Sequence, residues 1–171
     1  LVWVDLEMTG LEDGHVIIEI ASLVTDSDLN ELAAGPVVAI QRTEEELANI
    51  NEWSMDQHTK SGLLKRVKES SITIDIADLI TVNFLKEWVD EGKSPICGNS
   101  IATDRRFIRK EMPSLDSYLH YRMIDVSTIK ELAARWYEKL EPPSKKSEHT
   151  ALSDIRESIE ELRWYREKVF S

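Results

Sequence analysis

Apolar and polar residues alternate from Leu1 to Glu7 among strong β-formers, which predicts a strand closed by Thr9-Gly10. Val16–Thr25 reads as a second, more apolar strand and Pro36–Gln41 as a third. The short loops between them, with Gly14 and Asp28-Leu29-Asn30, predict an antiparallel meander. The period then becomes helical. Thr43-Glu44-Glu45-Glu46 has the form of a capping box, and a short helix is expected over Ser54–Thr59. A longer helix is expected from Asp75 to Glu91, with Leu79, Val82, Leu85, Trp88 and Val89 on its stripe and Gly92 as C-cap. Ser94–Gly98 is a short strand, and Ala102–Met112 a helix stopped by Pro113. His120–Asp125 is a further short strand. A helix follows, opened by Thr128-x-x-Glu131 and striped by Ile129, Leu132, Ala133, Trp136, Tyr137 and Leu140. Glu141–Glu148 reads as a loop, and the last helix spans about Thr150 to Val169.

This order, β-β-β-α-β-α-β-α, implies an α/β fold with a mixed five-stranded sheet flanked by helices. With 171 residues, no internal repeat and no dividing linker, residues 1–171 are expected to form a single domain. No apolar run approaches the length of a membrane span, and Leu1–Val4 runs into Asp5 without the pattern of a signal peptide. Cys97 is the sole cysteine, which excludes an internal disulfide and a cysteine-based zinc site and fits a reducing, cytoplasmic setting. Within Pro95-Ile96-Cys97-Gly98 it reads as a small buried hydrophobe rather than a nucleophile.

Three stretches carry candidate chemistry. Asp5 and Glu7, two apart on one strand, point to the same face. Two carboxylates side by side on a central strand are costly unless a cation lies between them, so the pair favours a metal site over solvated acids at a frayed end. Asp104 opens a helix just after a strand end. Alone it reads as a residue complementing the helix dipole. His149 and Asp154 sit at the start of the last helix, where Asp154 points away from the apolar stripe of Leu152 and Ile155. A lone histidine there is ordinarily a polar surface residue. Together, Asp5, Glu7, Asp104 and Asp154 are the hard oxygen donors of a two-metal phosphodiesterase for Mg²⁺ or Mn²⁺, and His149 a base titrating near neutrality. Trp53, His58 and Tyr121, expected in loop or edge contexts, are candidate stacking surfaces for bases. The net charge of −11 opposes binding of long polyanions. Either metal ligation neutralises several acids or the substrate is too short to need many phosphate contacts.

The runs Asp5-Leu6-Glu7-Met8-Thr9-Gly10-Leu11, Gly98-Asn99-Ser100 with Asp104-Arg105-Arg106-Phe107, His120-Tyr121-Arg122 with Asp125-Val126-Ser127-Thr128, and His149-x-x-x-x-Asp154 resemble the oligoribonuclease family of DEDDh 3′→5′ exonucleases, over essentially the whole chain. The resemblance implies a ribonuclease H-like fold and removal of 5′-mononucleotides from very short single-stranded RNA, down to dinucleotides. It implies Asp5, Glu7, Asp104 and Asp154 as ligands of two divalent ions, with His149 as general base. It further implies Leu11 wedged between bases and Trp53 and His58 lining the 3′-terminal pocket. Ser100 and Ser127 would cap a 5′ phosphate, helped by Tyr121 and Arg122 of the second subunit of a homodimer. Ala102-Thr103 before the third acid, Met123, and the short loop Glu12–His15 depart from the family pattern without touching a ligand. DNA-proofreading relatives begin D-x-E-T-T-G, and Met8 stands at the first of those threonines, which favours RNA over a DNA-directed exonuclease. A catalytically silent nucleic-acid-binding domain on the same fold is the other alternative, and the complete set of acids speaks against it.

Overall fold

A computed structural model describes residues 1–137, 140–143 and 150–170. The chain opens with strands β1 (Val2–Met8), β2 (Ile17–Thr25), β3 (Glu31–Ala34) and β4 (Val38–Ala39). Helices α1 (Glu44–Ala48), α2 (Glu52–Lys60), α3 (Leu63–Glu69) and α4 (Ile74–Lys86) follow. Then come β5 (Ile96–Gly98), α5 (Ile101–Glu111), α6 (Pro113–Tyr118), β6 (Met123–Asp125), α7 (Val126–Trp136) and α8 (Ala151–Val169). The sheet runs β3-β2-β1-β5-β6, with β4 paired to β2. β1 is antiparallel to β2, whereas β1–β5 and β5–β6 are parallel. The mixed α/β architecture is therefore as expected, with one strand more than the five read from the pattern. The additional strand is β3. Its Glu31-Leu32-Ala33-Ala34 contains weak β-formers and is mostly exposed at the sheet edge, so it carries no apolar alternation to recognise.

The helices differ from expectation mainly at their boundaries. The capping box at Thr43 forms, and α3, which has only Leu63 and Val67 buried, was not expected. α4 ends at Lys86 rather than Glu91, and its buried face is Ala77, Asp78, Thr81, Val82 and Leu85. Leu79 and Trp88 are exposed, so those two members of the expected stripe lie off it. Pro113 both follows α5 and starts α6, in the first-turn position where its missing N–H is harmless. α7 opens at Val126 instead of Thr128 because Asp125 is its N-cap, accepting from the Ser127 N–H. Trp136 is exposed. Thr150 caps α8 reciprocally with Ser153. Most of the expected Glu141–Glu148 loop lies outside the described residues.

β1 separates two apolar layers. Val2, Val4, Leu6 and Met8 face a cluster with Ala77, Val82, Leu85, Phe107, Ile108 and Leu115. Trp3 faces the opposite layer with Cys97, Val126, Ala133, Ala151, Ile155, Ile159 and Tyr165. By the two-residue period, Asp5 and Glu7 share the Trp3 side, under α8. Cys97 is buried there and its thiol is pushed up to about 12 by burial, which makes it an inert packing residue.

One buried acid holds the other layer together. Asp78 accepts from the Ser114 and Leu115 N–H groups at 2.9 and 2.8 Å, tying α4 to the first turn of α6 beside α5. Asp78→Ala strands both donors and should lower stability by about 1–3 kcal/mol in denaturant unfolding. A loss below about 0.5 kcal/mol would mean that water replaces the carboxylate.

Candidate active site

Three acids predicted from sequence converge. Asp5 and Glu7 on β1 and Asp154 on α8 each place a carboxylate oxygen within 4.8 Å of the others. Asp5 stands opposite Ala21 on β2, where the small side chain leaves room above the strand. Glu7 stands opposite Glu19, which is buried and paired with Arg66 of α3. The register shifts between Glu7 and Met8, a bulge that ends the regular ladder beside the acids.

Asp104 is not in that three-residue group. It is buried in the first turn of α5, and its Oδ1 accepts from the Leu6 N–H at 3.1 Å. β5 pairs with β1 only at Val2 and Trp3, so the Leu6 N–H lies past the end of that ladder and Asp104 satisfies it. The fourth acid thus braces β1 at Leu6, between the two residues that present carboxylates.

The electrostatics follow from this crowding. The Glu7 carboxyl is pushed up to about 7, first by burial, then by Asp154, Glu19 and Asp104, with Arg66 opposing. Asp104 is pushed up to about 7 by burial, against the Leu6 hydrogen bond, with Asp125 adding to the rise. His58 is lowered, mainly by burial. Its Nε2 lies 2.9 Å from the Met8 carbonyl, which can only accept, so Nε2 carries the proton. Nδ1 then faces Glu7 Oε2 at 3.7 Å, beyond hydrogen-bond length.

The acids floor one end of a cleft of about 480 Å³. Asp5, Glu7 and Asp154 line it together with Leu11, Trp53 and His58. Trp53 and His58 are both carried by α2, which begins before the helix expected over Ser54–Thr59 and so takes in Trp53 as well. Leu11 is 57% and Trp53 69% exposed, large apolar surface on a cleft otherwise rich in carboxylate. Arg106 holds the Leu11 loop by bonding the Leu11 carbonyl and the Asp13 carboxylate.

Ser100 and Ser127 are also brought together, their hydroxyl oxygens 3.2 Å apart. Ser100, at φ 51°, turns the chain from β5 into α5. Its N–H and that of Ser127 both donate to Asp125 Oδ1 at 2.9 Å, which leaves the hydroxyls as the groups able to meet a ligand. Tyr121 and Arg122 precede the edge strand β6; Tyr121 is 72% exposed and Arg122 Nε donates to its hydroxyl at 3.2 Å. Neither lines the acid-floored cleft. His149 lies outside the described residues.

A family model for exonucleases, RNase T, matches residues 2–162. Oligoribonuclease of Vibrio cholerae is 59% identical over 172 residues, covering 99% of this chain and 95% of that protein. The chain belongs to the oligoribonuclease family. Oligoribonucleases of Photobacterium profundum and Pseudomonas syringae pv. tomato are each 57% identical, over 100% and 98% of the chain. Among solved structures, Escherichia coli exonuclease I in complex with an oligonucleotide superposes with TM-score 0.70 at 12% identity, over 98% of this chain and 40% of that one. Exonuclease I of Methylocaldum szegediense gives TM-score 0.63 at 17% identity, over 99% of this chain and 41% of that one. This chain therefore spans about two fifths of those longer proteins, and the likeness supports the ribonuclease H-like fold alone.

Sequence reasoning passed over several residues of this oligoribonuclease cleft. Asn51, Gln57 and Ser61 line it from α2 and its ends. Glu19, the buried acid beside Glu7, was legible as the one charge inside the apolar run Ile17–Thr25.

Two carboxyls raised to about 7 make stability depend on pH. Their folded-state values lie above the ordinary 4.5 and 3.8, so the folded protein binds the extra protons. Their contribution is fullest below those ordinary values and is lost as pH rises through 7. The metal-free protein should therefore melt at a lower temperature at pH 8 than at pH 6. The melting-temperature gain from Mg²⁺ should be larger at pH 8, and Glu7→Gln should flatten the metal-free dependence. Equal melting temperatures at both pH values, with no effect of the substitution, would show that these acids ionise in the folded state without penalty.

Proposed function

We propose that residues 1–171 form one exonuclease domain that removes 5′-mononucleotides from the 3′ end of very short RNAs, from dinucleotides upward. The convergence of Asp5, Glu7 and Asp154 on one wall of a cleft carries this reading. Asp104, bonded to the Leu6 N–H between Asp5 and Glu7, completes the donor set. All four donors are hard oxygens, suited to two Mg²⁺ or Mn²⁺ ions, and the proton-raising crowding of Glu7 is the signature of carboxylates arranged for a cation. Such ions, when bound, activate water and neutralise charge building on the phosphate.

The chain's own groups do the remaining work. Leu11 and Trp53 offer apolar faces against which terminal bases pack. His58, fixed by the Met8 carbonyl, holds the floor of the 3′-terminal pocket. His149 accepts the proton of the attacking water. Ser100 and Ser127 meet the 5′ phosphate. Ser100 is the N-cap of α5, and Asp104 lies in the first turn of that helix. The 5′-end stop thus lies one helical turn from the catalytic acids, which favours the shortest substrates. The charge of −11 works in the same direction, because added phosphates meet repulsion rather than a basic track.

Because Asp125 already takes two N–H groups at the serines, positive charge for the phosphate has to come from elsewhere. Arg122 of a second subunit supplies it in this reading, with Tyr121 stacked beside it. Tyr121 and Met123 expose apolar surface at the edge strand β6, which suits a symmetric homodimer. No helix among the described residues is long and apolar enough to cross a membrane, and the cytoplasm is the setting we assign.

A ladder of RNAs from two to about ten nucleotides, run against matched DNA, tests the substrate reading. The specificity constant should fall steeply beyond two nucleotides and be lower on DNA. Asp5→Asn or Asp154→Asn should abolish turnover while the fold survives. Near-normal Mg²⁺-dependent activity in either variant would remove that residue from the metal site, and an inactive wild type would leave only a binding domain. The dimer has a separate check. Mixing Arg122→Ala with Asp5→Asn subunits should recover activity absent from both parents, because one composite site is then intact. Confirmed subunit exchange without recovery, or full activity from a monomer, would sink the arrangement.

A further inference from the structure

Proton counting around the two serines singles out a residue that neither the acid cluster nor the cleft includes. Ser127 Oγ donates to Asn99 Oδ1 at 3.0 Å. Asn99 Nδ2 donates to Ser158 Oγ at 2.9 Å and to Glu161 Oε2 at 3.1 Å. Ser158 Oγ passes its proton to the Asp154 carbonyl at 2.9 Å, and Lys130 Nζ stands 3.5 Å from Glu161 Oε1. Ser158 and Glu161 are 6% and 5% exposed, so the inner end of this network is buried, while Asn99 and Ser127 are half-buried and Ser100 is exposed.

The hydrogens leave one solution. A reversed Asn99 amide would set its carbonyl oxygen against the Glu161 carboxylate, so the amide is locked with oxygen toward Ser127. The single Ser127 hydroxyl proton is then committed to Asn99. Ser127 Oγ can only accept on its other side, where the Ser100 N–H reaches it at 3.0 Å. In the 3.2 Å contact between the two hydroxyls, Ser100 must therefore be the donor. The Ser100 proton can then swing from Ser127 to an incoming phosphate oxygen, beside a Ser127 that Asn99 keeps in place.

We infer that Asn99 is a specificity-determining positioning residue: by tying the Ser127 hydroxyl to Ser158 and Glu161 of α8, it holds the Ser100–Ser127 pair in the arrangement that reads the 5′ phosphate. This rests on the 5′-end role proposed above for the two serines. Asn99 acts through them and does not touch the substrate. Without it, Ser127 loses its anchor to α8, neither hydroxyl keeps a fixed orientation, and the ligand itself has to order the pair.

The experiment compares specificity constants for one RNA dinucleotide carrying either a 5′ phosphate or a 5′ hydroxyl. The wild type should prefer the phosphorylated form. Asn99→Ala should lower that preference by about tenfold or more, the range of one hydrogen bond to a charged group. Ser100→Ala should do the same. Ser158→Ala, which loosens the amide but leaves the Glu161 bond, should give a smaller shift in the same direction and serves if Asn99→Ala folds poorly. Equal losses on both substrates, or no change of preference in any variant, would make Asn99 a structural bridge and overturn the proposal. A wild type with no 5′-phosphate preference would instead refute the 5′-end reading, and the proposal with it.

Discussion

Mutual repulsion among carboxylates under α8 is the constraint around which the molecule is organised. Asp5, Glu7 and Asp154 would separate if their backbones could move. They cannot, because each is flanked by residues locked into the core. Trp3, two positions before Asp5, is fully buried and its indole N–H donates to Thr25 Oγ1 at 3.0 Å. Ile155 and Ile159 bury the face of α8 next to Asp154. Each large apolar side chain so buried contributes about 1.5–3 kcal/mol, and several together outweigh the repulsion they confine. The strain appears as a Glu7 carboxyl that holds its proton to about pH 7. A divalent cation relieves it, so folding energy becomes affinity for metal.

The same central strand explains why an acidic protein can act on nucleic acid. Its site is a short cleft, not a track. The Leu11 loop and α2 supply apolar surface for bases, and the turn from β5 into α5 places Ser100 one helical turn before Asp104. A binding region bounded in this way needs few phosphate contacts, and the bulk charge of −11 then excludes long polyanions at no loss. The left-handed backbone at Ser100 is part of that arrangement, because it directs the residue's N–H at Asp125 and Ser127 while α5 departs toward β1.

Two kinds of polar site thus share one sheet. The acid cluster is crowded enough to raise the Glu7 carboxyl. The network from Glu161 through Asn99 to Ser127 is instead knit together by hydrogen bonds between neutral and charged partners.

The sequence alone determined the alternation that makes β1, the shared face of Asp5 and Glu7, and the capping box at Thr43. These depend on neighbours within a few positions, and a two- or 3.6-residue period exposes them directly. It also carried the motifs that tie the chain to its family. Only the tertiary structure decided that Asp104 braces the Leu6 N–H, that Glu19 faces Glu7 and is held by Arg66, and that Asn99 joins α8 to the two serines. These partners lie far apart along the chain. Their meeting is set by strand register and by which helix covers which face, and no local pattern encodes that. β3 and α3 escaped reading for a related reason. Each is short and buries few residues, so it exists because β2 and the sheet face receive it, not because its own residues demand it.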